Sequence, residues 1–257
     1  MNEQPVGVRQ VRREDVTARI LQIGRAHLAE HGAAALSLRA VTRELGMVSS
    51  AVYRYVANRD ELLTLLVVDA YTALADAVDA AVSDAADRPW STRILRAANA
   101  VRDWALGEPA RYALLYGSPV PGYAAPPERT NEPGTRVIQT LLALVAEGVA
   151  AGDVRDADGA VPLPAPLRVD LADLAGALAL DLDPAVLARA AMLWSVLFGA
   201  VSLEVFGQYG PDTFAEPGLL FEHQVASAVA ALHAGTEPSR RPLLPSLPTI
   251  RPAAGHE

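Results

Sequence analysis

Apolar residues recur at helical spacing along almost the whole chain. Over residues 15–31, Val16, Ile20, Ile23 and Leu28 share one face, and Gly32 follows as a stop. Ser37 can cap a short second helix carrying Leu38, Val41 and Leu45, which Gly46 ends. After the turn Gly46-Met47-Val48, the spacing predicts a third helix over residues 49–56, with Ala51, Val52 and Val56 inward and Ser50, Tyr53, Arg54 and Tyr55 mostly outward. Two short helices across a Gly turn read as a helix-turn-helix. Asn58 and Glu61 have the spacing of a capping box, opening a fourth helix over residues 60–81 through Leu62, Leu63, Leu66, Tyr71, Leu74 and Val78.

The later pattern predicts paired helices between Trp90 and Tyr116, broken at Glu108-Pro109, then a Pro- and Gly-rich loop over residues 118–134 and a helix over 137–149. A second Pro-punctuated loop, 153–168, precedes a helical stretch over 171–180. Two strongly apolar helices follow, 184–206 and 218–233, the first opened by Asp183-Pro184 as a cap and N1 pair. The domain reading is a flexible basic arm (1–13), a helix-turn-helix unit (14–60), a larger helical unit (61–235) and a Pro-rich, disordered tail (236–257). The fold class is all-α, an N-terminal three-helix unit plus a larger helical domain.

Composition supports that class: 49 of 257 residues are Ala, and aromatic residues make up only 5%. No Cys is present, which removes disulfides, thiol catalysis and cysteine-ligated zinc or iron–sulfur sites. The N-terminus has no apolar signal segment, so a cytoplasmic protein is expected. The run 190–203, nearly uncharged, is shorter than the roughly 18–20 residues of a bilayer helix and reads as buried, so no membrane partner is expected.

Every basic residue is Arg, and residues 1–60 hold nine of them against six acids inside a chain of net charge −8. A cationic module on an acidic body suits a polyanion. The predicted third helix has the slim polar face that entry into a major groove requires. The candidate DNA-contacting set is Ser37, Arg39, Thr42, Ser49, Ser50, Ala51, Tyr53, Arg54, Tyr55 and Arg59. Within it Ser50 and Ala51 permit close approach, Tyr53 and Tyr55 offer hydroxyls to phosphates, and Arg54 reaches either a phosphate or a guanine edge. Arg39, Arg43 and Arg59 would clamp the backbone. A helical interaction or small-molecule-binding module with a solvated Arg/Tyr face is the alternative.

Residues Ile20-Leu21, Ala29-Glu30-His31-Gly32, Leu36-Ser37-Leu38-Arg39, Leu45-Gly46, Ala51-Val52-Tyr53-Arg54-Tyr55-Val56 and Arg59-Asp60-Glu61-Leu62-Leu63, in that order, resemble the DNA-binding domain of TetR-family transcriptional regulators. The family's usual Ser-Pro opening of the recognition helix is replaced around Val48-Ser49-Ser50, and its common Lys before the fourth helix is Arg59. Farther on, the run Arg111-Tyr112-Ala113-Leu114-Leu115-Tyr116-Gly117-Ser118-Pro119-Val120-Pro121-Gly122-Tyr123, with Leu193-Trp194 and Phe198-Gly199, resembles the regulatory domain of the Trp-His-Gly type. Phe198 stands where the signature His would be. The resemblance implies a homodimer paired through the last two helices, a palindromic double-stranded DNA operator with half-site centres about 34–36 Å apart or a multiple of it, a small-molecule effector that releases the DNA, and repression as the usual direction.

The effector pocket is expected beneath Trp90, Trp104, Tyr112, Tyr116, Met192, Trp194 and Phe206, since pockets are mainly apolar with a few polar handles. Plain core is the other reading for each of them. Arg102 and Arg111 can supply charge to an acidic ligand, with surface exposure as their default. Catalysis is not expected. His27 and His31, four apart, lack a third ligand for a metal, and Ser118 lacks the strand–turn–helix context of a nucleophile elbow. No cofactor is implied.

Overall fold

The computed structural model describes residues 6–154 and 162–233 of the 257-residue chain. The predicted tail and part of the 153–168 loop lie outside the described residues. Ten α-helices follow one another: α1 Val6–His31, α2 Leu38–Glu44, α3 Ser49–Val52, α4 Arg59–Ser83, α5 Trp90–Gly107, α6 Pro109–Tyr116, α7 Pro127–Ala150, α8 Ala165–Ala177, α9 Pro184–Val205 and α10 Pro217–Ala230. A 3-10 turn, Ala33–Ala35, joins α1 to α2. Among the described residues there is no strand beyond a single bridge between Val154 and His233, so the all-α class is observed.

Three sequence-predicted caps are present. Ser37 Oγ accepts from the Ala40 amide at 3.4 Å, Asn58 Oδ1 from the Glu61 amide at 2.8 Å and Asp183 Oδ1 from the Ala185 amide at 2.7 Å. Each satisfies a donor that the first helical turn leaves without a partner.

Four boundaries differ from the sequence reading. The segment read as a flexible arm, 1–13, is helical from Val6 onward, as the opening turns of α1; residues 1–5 lie outside the described residues. The third helix stops at Val52, and Tyr53, Arg54 and Tyr55 form a turn rather than its last coil. The loop expected over 118–134 ends at Pro126, because Pro127 occupies the first helical turn, where a missing N–H costs nothing, and α7 absorbs Pro133. Gly134 lies where an added Cβ would sit 3.3 Å from the Tyr71 ring, so close packing on α4 explains that glycine. Finally, α8 starts at Ala165, six residues earlier than the predicted stretch.

Two buried clusters organise the molecule. The smaller is built from Ile20, Leu36, Leu38, Val41, Leu45, Val52, Val56, Leu62, Leu63 and Leu66. The larger begins at Leu74 and takes in α5 to α10 through Leu232. Helix α4 supplies side chains to both, so it is one rigid rod shared by two cores. Leu114, Val120 and Tyr123, from α6 and the loop after it, pack on the smaller cluster, and Tyr123 hydroxyl lies 3.0 Å from Thr64 Oγ1. By length and composition the 22-residue α9 is apolar enough to span a bilayer, longer than the sequence run suggested. It packs against α5, α7, α8 and α10.

Candidate nucleic-acid interface and ligand cavity

The short α2 places Arg39 and Arg43 outward and Leu38 and Val41 inward, as one turn of helical spacing dictates. Ser50, Tyr53 and Arg54 are exposed at α3 and the turn that follows it. Arg39, Arg43 and Arg54 have no ion pair or hydrogen-bond partner among the described residues. The contrast with the larger unit is sharp. Its Arg93 pairs with Glu147, Arg102 with Glu204, Arg129 with Glu61, and Arg136 with Asp76 and Asp79. The Glu204 hydrogen bond raises the Arg102 pKa further, and Asp79 and Asp76 do the same for Arg136. Arg96 and Arg168 of the larger unit are also exposed without a partner among the described residues, but apart from each other, whereas Arg39, Arg43 and Arg54 are gathered on the two short helices of the helix-turn-helix and the turn after them.

Several candidate residues are placed otherwise than the sequence suggested. Thr42 is buried, with its hydroxyl donating 2.8 Å to the Leu38 carbonyl, so it serves the fold of α2. Tyr55 is half-buried against the smaller core rather than outward. Three others stand as the pattern predicted: Ser37 caps α2, Ala51 is half-buried and Ser49 opens α3, its side chain lying outside those described. Arg59, expected as a backbone clamp, is already engaged within the chain. Its Nε donates to the Leu36 carbonyl at 3.0 Å, and its Nη2 donates to the carbonyls of Ala33 and Ala34 at 3.0 and 3.1 Å. The planar guanidinium thus ties the start of α4 to the 3-10 turn, which the sequence could not reveal because the two are over twenty residues apart.

The sequence reading missed Val48. It is 72% exposed, directly ahead of α3, and its carbonyl accepts from the Ala51 amide at 2.9 Å. A β-branched apolar residue at a cap position, where Ser or Asp is preferred, was the available signal.

The seven expected pocket residues split. Tyr112 and Tyr116 stack at 5.0 Å, Tyr116 lies 4.6 Å from Phe198, Trp194 lies 4.1 Å from Phe198 and Phe206 lies 6.0 Å from Tyr112. Tyr116, which also meets Tyr71 edge-on at 6.3 Å, is thus the hub of the cluster, and Phe198 links it to Trp194. Tyr112 is fully buried, with its hydroxyl 2.8 Å from Ser202 Oγ and donating to the Phe198 carbonyl at 3.3 Å. Burial raises the pKa of Tyr71, Tyr112 and Tyr116 above the ordinary phenol value. Trp90 lies apart as core: its Nε1 donates to Asp153 at 3.1 Å and its ring meets His233. Trp104 sits beneath the Arg111 guanidinium at 5.4 Å, and Met192 is exposed on α9. Arg111 is buried, not superficial, and Arg102 is committed to Glu204. His27, largely shielded rather than solvent-facing, has Nε2 3.0 Å from Glu44.

A cavity of about 800 Å³ opens beside this cluster, between the end of α1, the 3-10 turn, α6 and the loop after it, with Phe206 and Gln208 closing one end. Only Tyr116 and Phe206 of the seven predicted residues line it.

Comparison with known proteins decides the family. Residues 20–66 match the bacterial regulatory proteins, tetR family, and residues 94–228 match the tetracyclin repressor-like C-terminal domain. The chain belongs to the TetR family. It is a DNA-binding transcriptional regulator, and the family is one of regulators rather than enzymes. The match at the C-terminal half does not single out the Trp-His-Gly type. The HTH-type transcriptional regulator Rv1816 of Mycobacterium tuberculosis is 50% identical over 227 residues, covering 88% of this chain and 96% of that protein; the Mycobacterium bovis regulator Mb1846 matches to the same extent. Among solved structures, regulatory protein SCO4313 is 34% identical, with a TM-score of 0.66 over 86% of this chain and 98% of that one. A tetR-family regulatory protein from Rhodococcus RHA1, 17% identical with a TM-score of 0.55 over 85% and 97% of the two chains, shares the fold. TetR regulators bind DNA operators, typically as dimers with small-molecule effectors.

Proposed function

We propose that this TetR regulator is a cytoplasmic, ligand-released repressor that binds a palindromic operator as a homodimer. The observation carrying the reading is the trio Arg39, Arg43 and Arg54, exposed and unpaired around Ser50 and Tyr53 on a chain whose net charge is −8. Unpaired guanidinium groups on an acidic protein serve phosphate binding, and the repulsive body keeps the approach oriented. Residues 14–60 form the DNA-binding unit and 61–235 the dimerising, effector-binding unit. Arg39 and Arg43 hold phosphates; Ser50, Tyr53 and Arg54 lie in the groove, with Val48 at the entrance.

Dimerisation uses α9 and α10, whose exposed Met192, Leu203 and Leu219 find cover in a second copy. The lever is α4, which belongs to both cores, and an effector acts by preferring the state with the wrong half-site separation. Repression follows when the bound dimer occupies promoter DNA.

The test is capture and sequencing of genomic fragments by the purified full-length protein. An enriched palindrome, bound with a steep loss of affinity as salt rises, is expected. Fragments captured no better than background at low salt would overturn the reading in favour of a helical interaction module.

A further inference from the structure

We propose that the 800 Å³ cavity between the 3-10 turn and α6 binds a neutral, mainly apolar small molecule, and that Arg59 transmits its occupancy to the helix-turn-helix. This rests on the regulator reading above and adds the site, the ligand class and the coupling residue.

The lining carries no charged side chain. An ion placed there would give up part of its hydration without gaining a counter-charge, which disfavours carboxylates and ammonium compounds against neutral molecules. Aliphatic and aromatic surface dominates, from Leu28, Ala113, Leu114 and Phe206, and the volume falls in the range of drug-sized ligands, about 300–1,000 Å³. Polar groups are few: Tyr116, Ser118 and Gln208. Tyr116 hydroxyl has no hydrogen-bond partner among the described residues, and burial keeps it protonated well beyond neutral pH. It is a donor awaiting a carbonyl, ether or hydroxyl oxygen.

Coupling follows from what forms the wall. Ala33 and Ala34 line the cavity, and their carbonyls are the two that Arg59 Nη2 holds. Arg59 opens α4, close behind the recognition turn at 53–55. A molecule that displaces the 3-10 turn must stretch or break these bonds, and the α3 surface shifts relative to the rod that orients it. The planar fork sets the geometry, since Lys keeps the charge and has three donors but carries them on a single nitrogen, which cannot stand in for both Nε and Nη2.

Nile red, a neutral apolar dye, and the anionic dye 8-anilinonaphthalene-1-sulfonate are titrated into the full-length protein, with and without a captured DNA fragment. Saturable Nile red binding at one site per chain is expected, weakened at least tenfold by Ala34→Trp and by Ser118→Trp, which fill the cavity from opposite walls. Saturating Nile red should weaken DNA binding by the wild type at least tenfold. In Arg59→Lys the dye affinity should stay within threefold while the dye's effect on DNA falls below threefold.

Absence of saturable binding, dye affinity unchanged in both Trp variants, equally tight binding of the anionic dye, or full dye-driven release in Arg59→Lys would overturn the proposal. Failure to bind DNA before any dye is added would instead count against the regulator reading.

Discussion

Arg111 Nη2 donates a 2.8 Å hydrogen bond to Asp69 Oδ2, and the same carboxylate accepts from Arg25 Nε at 2.9 Å. One residue of α4 therefore joins α1 to α6. The two arginines are not equivalent: the Arg111 side chain is 8% exposed and that of Arg25 is 42% exposed. Arg111 Nε is buried without a partner among the described residues, and its other carboxylate, half-exposed Glu108, stands farther off at 3.8 Å, so its charge depends mainly on Asp69. Asp69→Ala should lower the unfolding free energy by about 3 kcal/mol because it leaves a buried charge with only that distant partner. Arg25→Ala should cost under about 1 kcal/mol, its exposed pair being screened. Urea denaturation of the two variants checks this, and equal losses would refute the asymmetry.

Arg39 and Arg43 are exposed and Arg59 is bonded to three backbone carbonyls, so salt titration should separate phosphate holders from a structural tie. Arg39→Ala and Arg43→Ala should each flatten the log–log salt dependence of DNA binding by about 0.9 per lost phosphate contact, with unchanged melting. Arg59→Ala should leave that slope alone and lower stability by about 2 kcal/mol, through loss of charge-assisted bonds to carbonyls. A slope change for Arg59→Ala with normal stability would restore it as a phosphate clamp.

That division also marks how far the sequence could be read. Helix periodicity, the Ser37, Asn58 and Asp183 caps and the Glu108-Pro109 break depend on neighbours in the chain, and all are found in the structure. The bonds of Arg59, the burial of Arg111 and the half-burial of Tyr55 depend on residues brought together by folding, and local pattern carries no trace of them. Pro133 and Gly134 misled in the opposite direction. Both weaken an isolated helix, yet α7 retains them because its packed face on α4, including the Tyr71 ring, outweighs local propensity. Aromatic residues were legible as a group, but which of them meet at Tyr116 was not.

Alkali should loosen the aromatic cluster. Tyr71, Tyr112 and Tyr116 have folded-state pKa values raised above the ordinary 10.0, chiefly by burial. A raised value adds stability that is complete below the unfolded pKa and is lost as pH climbs from about 10 toward the folded values. Thermal melts should therefore hold level up to about pH 9 and fall above it. Tyr116→Phe should shallow that fall, and an unchanged slope would show that its ionisation does not contribute.

The proposed pairing through α9 and α10 makes a mass prediction. Met192 and Leu203 are 42% and 37% exposed on an otherwise apolar helix. The double variant Met192→Asp/Leu203→Asp should sediment at 27.1 kDa, where the wild type should sediment at twice that mass. Losing the second half-site should weaken operator binding by about 100-fold or more. A wild type that remains at 27.1 kDa at micromolar concentration would remove the palindrome requirement as well.

Val48 bears on sequence choice. Its side chain is 72% exposed at the entrance to α3, flanked by exposed Ser50 and Tyr53, and nothing among the described residues covers it. In the major groove the feature that matches a bare isopropyl group is the thymine 5-methyl, the one apolar substituent displayed by any base. Replacing thymine by deoxyuridine position by position across the operator removes that methyl alone. One symmetric pair of positions should then be sensitive, each substitution weakening wild-type binding by about fourfold, the worth of one buried methyl at about 0.8 kcal/mol. In Val48→Ala the same substitution should have a much smaller effect, because the partner surface is already gone, whereas the salt slope should not move. A deoxyuridine penalty of equal size in both proteins would assign the methyl contact to another side chain, and an operator with no sensitive thymine would show that Val48 touches no base.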